Sequence, residues 1–249
     1  DNSDKEILNF SKYITKYEYW EGNRSSPVWA LNRAFNYASG EIFGWISSDD
    51  ILLRNSLFTV AKVFSDLEEV DWFTGLASTL NYRSELVNSK LRPKNKIDFL
   101  VDNWKIIQQE STFFRKSLWN KAGGRFNEDY LQAFDTELWT RFFLHAKHFN
   151  LNCPIGAFRR GEQSRSVRNI NEFLSYNIKA INTLIDNSKD EKNIKLYNLL
   201  RRKYFKQIMS IVPKKLIEKF LDQDLLYDNI TYCFETDNFF IEKENPFKY

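Results

Sequence analysis

Two adjacent carboxylates, in the run Ser47-Ser48-Asp49-Asp50, follow directly on the apolar stretch Ile42-Phe43-Gly44-Trp45-Ile46. Adjacent carboxylates offer hard oxygen ligands of the kind Mg²⁺ or Mn²⁺ takes, and such ions bind diphosphates. The chemistry that would use them is cleavage of a bond to a diphosphate, where a cation offsets charge on the leaving group. A turn or helix cap, with the second carboxylate merely solvated, is the competing role. A third acid, Asp135, opens the helical pattern Phe134-Asp135-Thr136-Glu137-Leu138-Trp139. In a first helical turn the macrodipole favours its ionised form, so it is a candidate general base. A plain helix cap is the other role open to it.

The elements that must position these acids follow from apolar spacing. Ile7, Leu8, Phe10, Tyr13 and Ile14 suggest a helix over 5–18. Ser26-Pro27 is a helix start, with Ser as cap and Pro at the first position. Ala30, Leu31, Ala34, Phe35 and Ala38 continue that helix, and Gly40 stops it. Residues 42–46 read as a buried strand that delivers Asp49 and Asp50 to the edge of a sheet, where open α/β folds bind ligands. Residues 56–66 look helical, and 70–82 strand-like, with a hairpin through Gly75. Residues 97–105 read as a helix, 109–115 as strand or extended, 116–122 as a short helix closed by Gly123-Gly124, and 134–147 as a longer helix. Alternating strands and helices point to an α/β layered domain over 1–168. From 170 to 222 helical patterns dominate, so 169–249 is expected to be a helical extension. Its aromatic-rich end, 230–249, reads as a short strand or a tail folded back.

Composition excludes several classes. Hydrophobic residues make up 43% of the 249, enough for a sizeable core. A net charge of +3 argues against a nucleic-acid binder. No apolar run is long enough to span a bilayer. Cys153 and Cys233 read as two buried thiols in a reducing, cytoplasmic compartment. His145 and His148, three apart, have no third ligand nearby and read as ordinary helix residues.

The run Ala30-x-Asn32-x-Ala34-x-x-x-Ala38-x-Gly40-Glu41-Ile42-x-Gly44-Trp45-Ile46-x-Ser48-Asp49-Asp50 resembles family 2 glycosyltransferases. There, a helix with Ala and Asn leads through Gly-Glu into a strand ending in an Asp-x-Asp-type motif. Downstream, Gln109-Glu110-Ser111-Thr112-Phe113, then Gly123-Gly124, then Asp135 ahead of Leu138-Trp139 resembles the same family in the same order. The first acid of the motif falls on Ser47. The family's Phe-Arg-x-His falls on Phe158-Arg159-Arg160-Gly161, without an imidazole. The resemblance covers about residues 1–166, with Asp1-Asn2-Ser3-Asp4 like the remnant of an earlier loop. The family's opening strand, helix and strand are not represented.

The resemblance implies a GT-A-like mixed sheet with flanking helices, N-terminally incomplete. It implies transfer of a sugar from a nucleotide-diphosphate donor to an acceptor hydroxyl, inverting and dependent on Mn²⁺ or Mg²⁺, in surface polysaccharide or glycan biosynthesis. Asp49 and Asp50 would hold the metal, with Ser48, Arg159 and Arg165 at the diphosphate; Arg168 is a further candidate. Asp135 would be the base. Gln109, Ser111, Thr112, Gly123 and Gly124 would line the substrate site, although a plain helix stop explains the two glycines nearly as well. Glu137 reads as a surface charge, and Leu138 and Trp139 as core rather than sugar platform. The expected partners are a nucleotide sugar and a glycan or lipid-linked acceptor. Lys214-Lys215 and Arg201-Arg202-Lys203 flank apolar stripes and leave room for peripheral contact with the inner face of a membrane. Self-association is a further option, since the absent strands would bare a sheet edge. Two other functions compete: a non-catalytic relative that binds or scaffolds, and a different metal-dependent phosphate-transfer enzyme.

Overall fold

The computed structural model describes residues 9–17, 27–101, 107–160, 169–188, 190–200, 202, 207–209, 211–213, 216, 219 and 222–248. Two mixed sheets share the work. In chain order the elements are α1 (Pro27–Tyr37), β1 (Ile42–Phe43), β2 (Ile51–Leu52), α2 (Ser56–Asp66), β3 (Trp72–Thr74), β4 (Ala77–Leu80), β5 (Leu86–Lys90), α3 (Lys96–Val101), β6 (Thr112–Arg115), α4 (Lys116–Lys121), α5 (Phe134–His145), β7 (Phe149–Leu151), β8 (Gly156–Arg159), α6 (Ile170–Asn187), α7 (Glu191–Leu200), β9 (Tyr227–Cys233) and β10 (Asn238–Glu244). The larger sheet runs β1-β6-β3-β7-β9-β10 and the smaller β2-β8-β4-β5. In the larger sheet β3, β7 and β9 are mutually parallel and the other pairs antiparallel.

The aromatic residues explain how short strands hold together. Trp72, Phe114, Phe126, Trp139 and Phe142 are fully buried between the larger sheet and the helices. Trp45, Trp139 and Trp72 stack in sequence, with centroids 5.6 and 5.5 Å apart and planes within 27°. Such offset stacks add to the burial of large apolar area. Leu138 and Trp139 are therefore core, as their pattern suggests. Asn32 on α1 clamps the loop before α5. Its amide donates to the Phe126 carbonyl, 3.1 Å, and its Oδ1 accepts from the Phe126 N–H, 2.7 Å.

Several expectations are corrected. Residues 70–82 are two strands, but not one hairpin: β3 lies in the larger sheet and β4 in the smaller. The hairpin partner of β4 is β5, whose alternation is weak because it is mostly solvent-exposed. Only Ile42–Phe43 of the 42–46 run pairs as strand. Of the 5–18 helix, the described part holds a 3-10 turn at Ser11–Tyr13, and residues 5–8 and 18 lie outside the description. Residues 102–105 and Ser26 also lie outside it. The final stretch is a strand hairpin, and β9 pairs parallel with β7, so the segment after 169 supplies two strands to the larger sheet as well as α6 and α7. Both cysteines are free and half-buried. His148 sits beyond the end of α5, buried, with Nε2 3.0 Å from Thr74 Oγ1 and Nδ1 3.3 Å from the Lys94 carbonyl. Desolvation pushes its pKa down to about 3, so it is a neutral core group.

Candidate active site

β1 leads through residues 44–46 into a turn closed by the Asp50 N–H on the Ser47 carbonyl, 3.1 Å. Ser48 and Asp49 occupy its exposed tip. The turn is held from β8. The backbone N–H of Arg159 donates to Asp50 Oδ1 at 2.8 Å, and its Nε donates to the Asp49 carbonyl at 2.7 Å. Its Nη1 reaches Ser84 Oγ at 2.9 Å in the β4–β5 turn. This follows from register: Ile51 pairs with Ala157, so the residue before β2 meets the end of β8.

Asp135 comes from a separate element, in the first turn of α5. Ala133, just before the helix, holds φ +55°, a left-handed conformation costing about 1–2 kcal/mol for a residue with a Cβ. Asp135 Oδ1 accepts from the Thr136 N–H, 2.8 Å.

One cleft joins the two ends. A chamber of about 330 Å³ is lined by Ser47, Asp49, Asp50, Gln109 and Asp135 among others. A second of about 440 Å³ shares Ser47, Asp50, Gln109, Asp135, Phe158 and Phe173 with it, and adds Glu110 with Thr79 and Asn88 of the β4–β5 hairpin. Gln109 also donates from Nε2 to the Trp45 carbonyl.

The cleft is acidic and partly desolvated. Burial raises Asp50 to about 6, against the lowering effect of the Arg159 N–H, with the Asp49 charge adding to the rise. Burial likewise raises Asp135 to about 6, opposed by backbone N–H groups. Glu110, 4% exposed, is pushed to about 8, first by desolvation and further by the charges of Asp50 and Asp135. The Gln108 amide donates to it. Glu110 is thus a fourth carboxyl of the cleft, neutral at pH 7, and sequence reasoning missed it. Its one sequence signal is its place between the two glutamines and Ser111 of the resembling segment.

Other expected site residues lie elsewhere. The Ser111 hydroxyl donates to the Gly156 carbonyl at 3.0 Å and is buried. The Thr112 hydroxyl is engaged with Gln108 and Thr74. Gly123 and Gly124 hold φ +100° and +63° at the end of α4, and their N–H groups close that helix on Asn120 and Trp119. None of these four lines the cleft. Arg165 and Arg168 lie outside the described residues. Glu137 is not a surface charge: it is 8% exposed and bridged at 2.8 Å to Arg141. Arg141 in turn ties down the carbonyls of Ala122 and Arg125.

The donor set suits a divalent cation completed by a ligand. Among the described residues, no group of three or more His, Cys, Asp or Glu is placed to hold a metal by itself. Among the described residues, none donates to the Asp49 carboxylate or to Asp50 Oδ2, and both aspartates line the cleft. Mg²⁺ is commonly held by one or two carboxylates plus substrate phosphates, and these oxygens fit that pattern.

Solved structures share this architecture. S. aureus TarS matches with a TM-score of 0.56 at 13% identity, over 90% of this chain and 40% of that one. TarS 1–349 in complex with UDP-GlcNAc matches with a TM-score of 0.59 at 13% identity, over 89% and 64%. The fold is shared with these S. aureus TarS chains. TarS 1–349 in complex with UDP gives 0.57 at 14%, over 90% and 66%. The chain therefore spans less than two thirds of each of these TarS chains. No protein-family model matches the sequence, and comparison with curated proteins finds no match.

Proposed function

We propose that the chain transfers a sugar from a nucleotide-diphosphate donor to an acceptor hydroxyl, with inversion. The observation that carries the reading is the single cleft joining the Asp49–Asp50 turn to Asp135. Asp49 and Asp50 would hold Mn²⁺ or Mg²⁺ on the diphosphate. When bound, the cation supplies charge stabilisation for the leaving nucleotide. Asp135, across the cleft, takes the proton from the attacking hydroxyl, and its raised pKa sets it nearer working pH than an exposed Asp. Arg159 keeps the turn in place. Uncharged Glu110 limits the negative charge that a diphosphate would meet.

Family 2 membership and a role in surface polysaccharide or glycan assembly, on a glycan or lipid-linked acceptor, belong to this proposal. They rest on the sequence resemblance. A cytoplasmic location at the inner face of a membrane also belongs to the proposal, and it rests on the two free cysteines and the basic stripes at 201–203 and 214–215. Among the described residues no helix is long and apolar enough to cross one. The test is incubation with UDP-, GDP- and dTDP-sugars and Mn²⁺. Release of nucleoside diphosphate from at least one donor is expected. Absence of both release and binding, for every nucleotide sugar tried, would refute the reading.

A non-catalytic relative is the second reading. It is favoured by the double hold of Arg159 on the turn, which also suits a purely structural Asp50. Tight nucleotide binding without turnover of any donor, with acceptor present, would select it.

A further inference from the structure

The smaller sheet lays one row of side chains along the larger chamber. Thr79 on β4 pairs with Phe158 on β8 and, on its other side, with Asn88 on β5. The register of β2 on β8 sets Asp50 opposite Phe158. The row therefore runs Asp50, Phe158, Thr79, Asn88 across the whole sheet, and all four line the chamber of about 440 Å³ together with Asp135. Successive side chains of a strand point to opposite faces. Ser78 and Ser89, the next cross-strand pair, have their hydroxyls 2.9 Å apart in a hydrogen bond and do not line the chamber. Thr79 and Asn88 thus present their side chains to it.

This row has hydrogen-bonding groups to spare. Among the described residues nothing bonds the Thr79 hydroxyl or the Asn88 carboxamide. Both residues are half-buried, as is Phe158 beside them, and neither polar group is sealed from solvent. A hydroxyl and a carboxamide both donate and accept, as the hydroxyls of a sugar do. An aromatic ring beside a few convergent polar groups is the usual make-up of a small-molecule site. Neighbouring strands lie about 4.8 Å apart, so three steps put Asn88 roughly 14 Å along the sheet from Asp50. One sugar ring does not reach that far from a diphosphate held at Asp49 and Asp50. Asp49 itself does not line this chamber, whereas Asp135 does.

We propose that Thr79 and Asn88 form the acceptor subsite, where they hydrogen-bond the saccharide residue whose hydroxyl is to attack. The inference rests on the glycosyltransferase reading above and narrows its acceptor to a sugar ring. The donor occupies the Asp49–Asp50 end of the row and the acceptor the far end, with Asp135 open to the same chamber. Arg159 holds the two ends at a fixed spacing: its Nε bonds the Asp49 carbonyl and its Nη1 bonds Ser84 in the β4–β5 turn.

The test is saturation-transfer NMR on protein loaded with Mg²⁺ and whichever of UDP, GDP and dTDP it binds. The probes are the methyl glycosides of glucose, galactose, mannose and N-acetylglucosamine at millimolar concentration. The glycoside bound best is then titrated against wild type and the double variant Thr79→Val/Asn88→Ala. Thr79→Val keeps the β-branched shape, and Asn88 lies on an exposed edge strand, so the fold tolerates both changes. Loss of the two hydrogen bonds is expected to weaken the glycoside about tenfold. Calorimetry should find the nucleoside diphosphate and its sugar conjugates bound as in wild type. Equal glycoside affinity in wild type and variant overturns the inference and leaves the glycosyltransferase reading standing. So does a wild type that binds nucleotide but none of the four glycosides. A variant that binds the nucleotide sugar more weakly, with the diphosphate spared, puts the transferred sugar on this pair and overturns the acceptor assignment. A parallel loss of every ligand also overturns it, since the pair then serves only the fold. A wild type that binds neither nucleotide nor glycoside overturns both readings.

Discussion

Replacing Glu110 by Gln tests the electrostatics of the cleft without changing its shape. In the folded chain the Glu110 carboxyl holds its proton up to about pH 8, against 4.5 for the ordinary group, because burial and the charges of Asp50 and Asp135 oppose ionisation. Between those two pH values the folded state binds more protons than the unfolded state. Stability contributed by this group is therefore full below pH 4.5 and lost as pH rises towards 8. At about 1.4 kcal/mol per pH unit, the full loss above pH 8 is on the order of 5 kcal/mol. At pH 7 it is about 3 kcal/mol, and at pH 5 about 1 kcal/mol. Glu110→Gln removes the titration and keeps an oxygen to accept from Gln108. Urea unfolding at pH 5, 7 and 9 should show the variant more stable than wild type by a margin that grows with pH on that scale. Donor turnover at pH 7 should be nearly unchanged, because the wild-type group is already neutral there. A variant less stable than wild type at pH 9, or a margin that does not vary with pH, would refute the placement of Glu110 beside the other two acids.

Four further outcomes follow from the same geometry. Asp135→Asn should lower kcat by about 10²–10⁴-fold while leaving donor affinity near wild type, read by steady-state kinetics alongside calorimetry. Wild-type kcat/KM should fall as pH drops through about 6, because Asp135 and Asp50 both gain protons there, and the profile should lose the Asp135 contribution in that variant. Arg159→Leu should leave the fold in place but weaken Mn²⁺-dependent UDP binding several-fold, since it loses the hold on the Asp49 carbonyl and on Ser84. Gly156→Ala should destabilise by about 3 kcal/mol or more in thermal melts. A Cβ there would come within 2.0 Å of the Glu110 carbonyl oxygen and 2.6 Å of its carbon, both backbone atoms.

Much of the site could be read from residue order. The β1 run, the turn at 47–50 and the start of α5 are local features, and their patterns survive because the motif lies on adjacent residues. What escaped depends on contacts distant in sequence. Glu110 is given no role by residue order, and it is buried where β8 packs against its backbone. Glu137 looked exposed, although the Arg141 four residues on was a readable signal for an ion pair. Ser111 and Thr112 are expected at substrate because their segment resembles the Gln-x-Ser-Thr-Phe run of family 2 glycosyltransferases. Their hydroxyls are instead used inside the sheet, where buried polar groups must be paired. The short strands β7 and β8, of three and four residues, carry too little alternation to be read.

A crystal structure with a UDP-sugar and Mn²⁺ examines the proton-acceptor and metal assignments together. The ion is expected on the carboxylates of Asp49 and Asp50, the diphosphate against it, and the sugar's anomeric carbon facing Asp135. A nucleotide seated away from this cleft, or an ion that touches neither aspartate, would contradict these assignments.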